Sequence, residues 1–179
     1  ETLKQTVERL CESYGNPGVT LNNRTGSDLP KQQVVLRILS RVKDLLFPDH
    51  RLEHSIRKNE TVPLVGEILG EIHQDLLRQI CLARNYTWRG GGPCPDNRGQ
   101  AEEDALAFIG KLPEIRRMLA LDVQAALAGD PAAVSADEII LCYPGFEAIT
   151  TYRIAHELYS LGIPLLPRIM TESAHDQTG

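Results

Sequence analysis

The stretch Phe146-Glu147-Ala148-Ile149-Thr150-Thr151-Tyr152-Arg153-Ile154-Ala155-His156-Glu157-Leu158-Tyr159-Ser160-Leu161 decides the fold. On a wheel of about 3.6 residues per turn, Thr150, Arg153, Glu157 and Ser160 fall in one narrow polar strip. Ile149, Tyr152, Ile154, Ala155, Leu158, Tyr159 and Leu161 cover most of the remaining circumference. A helix apolar over so wide an arc is expected to be buried on two sides. Tyr143-Pro144-Gly145 precedes it and Gly162 supplies its C-terminal stop. Pro164 and Pro167 then fit the first turn of a last short helix reaching about His175, where a missing N–H has no helical partner to lose.

Working back toward the N-terminus, Ser135-Ala136-Asp137-Glu138 has the form of a capping box. The serine oxygen and the glutamate carboxylate would satisfy N–H groups at a helix start. Pro113 opens a helix with Ile115, Leu119, Val123 and Ala126 on one face, ending at Gly129, and a separate helix spans Ala101 to Ile109. Residues 89–95, Arg-Gly-Gly-Gly-Pro-Cys-Pro, can continue neither a helix nor a central strand. Before them lies the best-patterned helix, with Thr61 as cap, Pro63 in its first turn, and Leu64, Val65, Ile68, Leu69, Ile72, Leu76 and Ile80 along it.

Asp28 can cap an earlier helix with Pro30 in its first turn, where Val34, Val35, Ile38, Leu39, Val42, Leu45 and Leu46 form a broad apolar stripe that Pro48 ends. A short piece from Asp49 to Arg57 carries Leu52 and Ile56 one turn apart. Leu3, Val7, Leu10 and Cys11 mark a first short helix ending near Tyr14-Gly15, and the following stretch to Pro30 reads as a linker. Nothing alternates with period two for long. The expectation is an all-α chain, a multi-helix bundle with an N-terminal helical arm and linker at 1–30 and a helical assembly domain at 31–179. The stripes at Val34–Leu46 and Leu64–Ile80 exceed what one small bundle must bury, so a homo-oligomer held by helices is expected.

Composition limits the function classes. At 179 residues, one compact unit buries roughly 70% of the surface its unfolded chain exposes. With 42% hydrophobic and 24% charged residues the chain is globular in type. A net charge of -5 argues against a nucleic-acid partner, and one Trp, five Tyr and three Phe are too few for base-stacking platforms. No apolar run approaches the roughly 20 residues that cross a bilayer, and Glu1-Thr2-Leu3-Lys4 does not begin a signal peptide, so no membrane partner is expected. Cys11, Cys81, Cys94 and Cys142 are scattered without a CxxC pair, as in a reducing, cytoplasmic setting. Glu1 is not an initiating methionine, so the chain reads as a piece of a longer protein.

Candidate chemistry is sparse. His50 and His54 share a helical face, but without a third ligand they read as exposed, non-ligating histidines, and no metal site is expected. The glycines at 90–92 lack the Gly-Lys-Ser/Thr of a phosphate-binding loop and read as a turn. Cys81 and Cys94 read as inert thiols, since nothing local would lower a thiol pKa. His156, at the edge of the polar strip, is either a general base or a hydrogen-bonded core histidine, the latter being preferred. Asp130, in Gly129-Asp130-Pro131-Ala132-Ala133, has two readings. It is a cap at the end of a helix, or a carboxylate displayed there to hold a cationic ligand group.

Taken together, Leu112-Pro113-Glu114-Ile115-Arg116, Asp122-Val123-Gln124-Ala125, Gly129 to Ala133, Ser135 to Ile140, Cys142-Tyr143-Pro144-Gly145, Tyr152 to His156 and Pro167 to Glu172 resemble the serine O-acetyltransferase family. The first hundred residues are only loosely similar to that family's helical N-terminus. The resemblance implies an enzyme that moves the acetyl group of acetyl-CoA, its co-substrate, onto the hydroxyl of L-serine for cysteine biosynthesis. It implies a helical domain ahead of a left-handed β-helix of hexapeptide repeats that carries the catalytic His and Asp, assembly as trimers or dimers of trimers, and a possible cysteine synthase partner. No tandem hexapeptide repeat occurs in this sequence, so no catalytic or cofactor-binding residue is assigned to it and the chain alone is expected to be inactive. Asp130 matches the family's serine-binding aspartate, where cysteine would compete as feedback inhibitor. His156 matches a family position without a role to transfer and reads as structural.

Overall fold

The computed structural model of the protein describes residues 2–16, 18, 28–52, 60–87 and 96–179. Among the described residues there are eight helices and no strand: α1 (Leu3–Gly15), α2 (Gln32–Leu46), α3 (Pro48–Arg51), α4 (Thr61–Thr87), α5 (Arg98–Gly129), α6 (Ala136–Cys142), α7 (Pro144–Ser160) and α8 (Leu166–Thr178). The all-α expectation holds. The core forms where the stripes of α2, α4, α5, α7 and α8 meet: α4 lies against α2 and α5, α7 against α8 and α5, and α2 also reaches α8. At its centre Val35, Ile38, Val42, Ile72, Leu76, Ile80, Phe108, Leu119, Ile154, Leu158, Leu166 and Met170 are almost fully buried.

Helix starts differ from the sequence reading in instructive ways. Asp28 and Pro30 lie ahead of α2, not in it. The cap position is Lys31, whose side chain makes no capping bond. Its backbone N–H instead donates to Gln79 Oε1 of α4 at 2.7 Å, so a buried glutamine from across the bundle does the work of a local cap. Thr61 begins α4 rather than preceding it. At α6 the Ser135 oxygen accepts from the Glu138 N–H at 3.1 Å as expected. The Glu138 carboxylate, however, reaches one residue further back, accepting from the Val134 N–H at 2.8 Å.

The two helices expected on either side of Pro113 are one continuous helix, α5, of 32 residues. A proline there removes one ladder hydrogen bond and crowds the preceding turn, at about 3 kcal/mol or more. Phe108, Leu112, Ile115, Leu119 and Val123 are all buried on the same helix. At roughly 1.5–3 kcal/mol for each large apolar side chain, that burial outweighs the break.

Helix α7 is buried on one side of this chain, not two. Phe146, Ile154, Ala155 and Leu158 face the core with Thr150 and Thr151, while Ile149, Tyr152 and Tyr159 are exposed at 43%, 57% and 71%. Part of the polar strip turns inward: Arg153 forms a bidentate pair with Asp122 of α5, at 2.5 and 2.7 Å. The α2 and α4 stripes are largely covered within the chain, so they are not the surplus apolar surface the sequence suggested. Helix α1 buries none of its residues.

The turn into α8 departs from a simple stop. Gly162 takes φ 69°, as a helix-ending glycine does, but Leu165 also takes φ 66°, and the Leu166 N–H donates to the Pro164 carbonyl at 2.7 Å. This tight three-residue turn is a strained form for a leucine. Pro164 precedes α8, and only Pro167 sits in its first turn.

Candidate functional site

Asp130 lies just past α5, with φ -110° and ψ 106°, the extended backbone that a following proline imposes. Its N–H donates to the Ala126 carbonyl at 2.9 Å and so closes the helix. The side chain turns outward from that end. Oδ1 accepts from the Ala132 N–H at 2.9 Å, and Oδ2 accepts from the Tyr143 hydroxyl at 2.7 Å. The Ala132 bond is what the cap reading asks of this side chain, and the Tyr143 bond orients the partly exposed carboxylate as well.

Tyr143 is the residue that the sequence reading missed at this point. It is the one residue between α6 and α7, ending the first and capping the second. Its N–H donates to the Ile139 carbonyl at 3.2 Å, and its own carbonyl accepts from the Phe146 and Glu147 N–H groups at 3.1 and 3.2 Å. The ring is partly buried against the core. The motif Cys142-Tyr143-Pro144-Gly145 was the available signal, but no spacing rule links a tyrosine to an aspartate thirteen residues away.

The electrostatics follow from these bonds. The Tyr143 hydroxyl, then the Ala132 N–H, holds the Asp130 carboxyl below the usual aspartate range, so it is ionised at neutral pH. In return the carboxylate pushes the phenol up to about 12. A carboxylate offers about four acceptor positions across its two oxygens, and the described contacts use one on each.

A second polar group lies nearby. Lys43 of α2 is 5% exposed, and its ammonium donates to Glu147 and to Thr151 Oγ1, the latter at 2.9 Å. Burial pushes its pKa down, against the opposing pull of Glu147. Sequence periodicity hid it, because a lysine beside an apolar stripe reads as a solvated edge. Lys43, Glu147, His50, Phe47, Cys142 and Tyr143 all border a cleft of about 310 Å³.

The other sequence candidates are not brought together here. His50 pairs with Asp137 at 2.7 Å, whereas His54, Cys94 and the glycines at 90–92 lie outside the described residues. Among the described residues no three His, Cys, Asp or Glu side chains cluster as metal ligands would. Cys81 is partly buried, and that burial pushes its thiol up, away from a reactive thiolate. His156 is not a core histidine: it is exposed, its ring stacked with Tyr152 at 5.6 Å and Tyr159 at 6.5 Å. No helix among the described residues is long and apolar enough to cross a membrane.

No protein-family model matches the chain. It is 39% identical over 156 residues to a plasmid serine acetyltransferase of Synechococcus elongatus, a match covering 84% of this chain and 49% of the relative. The native serine acetyltransferase 1 of Entamoeba histolytica superposes with a TM-score of 0.63 at 28% identity, covering 97% of this chain and 59% of the other. The same enzyme in complex with L-cysteine gives a TM-score of 0.63 at 29% identity, covering 97% and 58%. The chain thus spans about half the length of the relatives it matches. A match of 84% cannot be confined to the last seventy or so residues, so the likeness also runs through much of the first hundred, where motifs alone showed little. With that identity held over most of its length, the chain belongs to the serine acetyltransferase family.

Proposed function

We propose that the natural gene product carrying this chain transfers the acetyl group of acetyl-CoA to the hydroxyl of L-serine, and that this chain supplies its helical assembly domain and one edge of the serine site. The observation that carries the proposal is the Asp130 carboxylate, ionised and oriented by two donors, with acceptor capacity left over. The ammonium group of an α-amino acid brings three N–H donors and a full positive charge, the complement of such a carboxylate. L-Cysteine carries the same ammonium group and would compete there; the cysteine complex of the Entamoeba relative is in keeping with that.

Acetyl-CoA enters as co-substrate, and no residue of this chain is assigned to it or to the proton transfer. Those roles fall to a β-helix outside this sequence. The chain alone is then inactive: serine-dependent CoA release is expected from the natural gene product and not from the 179 residues alone. Turnover by the isolated chain would overturn that division. In the gene product, Asp130→Ala is expected to raise the KM for serine about ten- to hundredfold, the loss of a charged hydrogen bond, with much less change in the KM for acetyl-CoA. Equal effects on both would return Asp130 to a purely structural role.

Assembly is part of the proposal. Leu3, Val7 and Leu10 of α1 and Ile149, Tyr152 and Tyr159 of α7 are among the exposed apolar groups that would contact further copies in a cytoplasmic homo-oligomer. A cysteine synthase is a possible further partner through segments this chain does not contain. A second reading, a helical adaptor without catalysis, is favoured by the fact that these helices enclose a core of their own. Hexapeptide repeats encoded after Gly179 would decide for the enzyme.

A further inference from the structure

Asp130 alone would be a poor ligand for a small amino acid. It sits at an open helix end, where a free carboxylate samples several rotamers, and ordering it would weaken binding. Its bond to the Ala132 N–H is local and fixes one oxygen relative to its own turn only. The second bond comes from another part of the fold. Tyr143 has its backbone tied into α6 on one side and α7 on the other, is followed by Pro144, and has its ring against the core. Its hydroxyl is therefore delivered by a nearly rigid arm, with only two side-chain torsions to fix.

We propose that Tyr143 is a positioning residue for the serine site, its hydroxyl holding Asp130 Oδ2 so that the remaining lone pairs of the carboxylate are presented to the ammonium group of the bound amino acid. This rests on the reading of Asp130 as the serine-binding aspartate. Tyr143 does not touch the reacting atoms in this scheme. It acts through Asp130, and its loss lowers affinity for the amino acid without altering the handling of the thioester.

Tyr143→Phe keeps the ring and its packing and removes only the donor. In the natural gene product it is expected to raise the KM for serine, and the inhibition constant for cysteine, about three- to tenfold, the effect of freeing one side chain that was pre-ordered for binding. The KM for acetyl-CoA should move far less. The effect should vanish when Tyr143→Phe is added to Asp130→Ala, since nothing is then left to position. If Asp130→Ala weakens serine binding and Tyr143→Phe does not, the positioning role is overturned while the Asp130 reading stands. If neither weakens it, the Asp130 reading falls and takes Tyr143 with it. An activity-independent measurement is the NMR titration of the Asp130 carboxyl in this chain, whose midpoint should rise in Tyr143→Phe; an unchanged midpoint also overturns the proposal.

Discussion

The first turn of α7 supports two polar contacts of opposite character. Glu147 reaches inward to Lys43, which is 5% exposed and also holds Thr151. Tyr143, which caps the same helix, reaches outward to Asp130 at an open helix end. In the first contact the buried Lys43 ammonium is held by two acceptors, because water cannot readily replace a partner lost there. In the second, contacts with described residues occupy one acceptor position on each oxygen of the carboxylate. The inner contact thus reads as a device of the fold, and the outer one is, on the proposal made above, a device for a ligand.

The comparison breaks most sharply at Glu147. Glu147→Gln leaves the buried Lys43 ammonium without its counter-charge and is expected to destabilise the chain by about 2–3 kcal/mol, read from urea unfolding. Removing one member of a fully buried pair costs roughly 3–5 kcal/mol, and the discount reflects a Glu147 side chain 36% exposed. Replacing both, as Lys43→Met with Glu147→Leu, should recover most of that loss, since apolar groups of similar volume need no partner. A pH series gives the sign. The folded Lys43 pKa lies below its ordinary value, so the unfolded chain binds the proton more tightly and stability rises as pH climbs between the two. Without Glu147, which pulls that pKa up, the rise should be steeper.

Much of this contrast was invisible in the sequence. Helical periodicity located α2, α4 and α7, and Ser135 announced the start of α6, because those signals are local. At Asp130 the local signal, a carboxylate between a helix-ending Gly129 and Pro131, left a cap and a displayed ligand both open, and only the resemblance to serine acetyltransferases favoured the ligand. Lys43, Tyr143 and the unbroken passage through Pro113 depend on what packs against them. A wheel cannot tell which apolar sector of α7 meets α5 and α8 and which is left outside, hence the exposed Tyr152, His156 and Tyr159.

A second, smaller effect sharpens the comparison from the outer side. Asp130→Ala loses the bonds to Ala132 and Tyr143, both at a partly exposed site where water can stand in for the carboxylate. Its unfolding midpoint should therefore shift by only a small fraction of the Glu147→Gln effect, while its serine KM shifts far more. A large loss of stability would mean that the outer contact is structural after all.

The smallest expected effect is the most specific to the pair. Asp130 has its folded pKa lowered, so its contribution to stability is present above the ordinary aspartate value and is lost as pH falls through the lowered one. Tyr143 has its folded pKa raised to about 12, so its contribution is complete below the ordinary tyrosine value and is lost as pH rises toward about 12. Between those limits the phenol donates and the carboxylate accepts. Tyr143→Phe should accordingly remove a small alkaline decline in stability and leave the steeper behaviour of Lys43 untouched. The difference in unfolding midpoint between the two proteins should be flat through neutral pH and narrow at both ends, as Asp130 takes up its proton in acid and as Tyr143 loses its own in alkali. A difference that instead changed near neutrality would point to another titrating group behind the Asp130 contact, and the separation of inner and outer polar pairs would no longer hold.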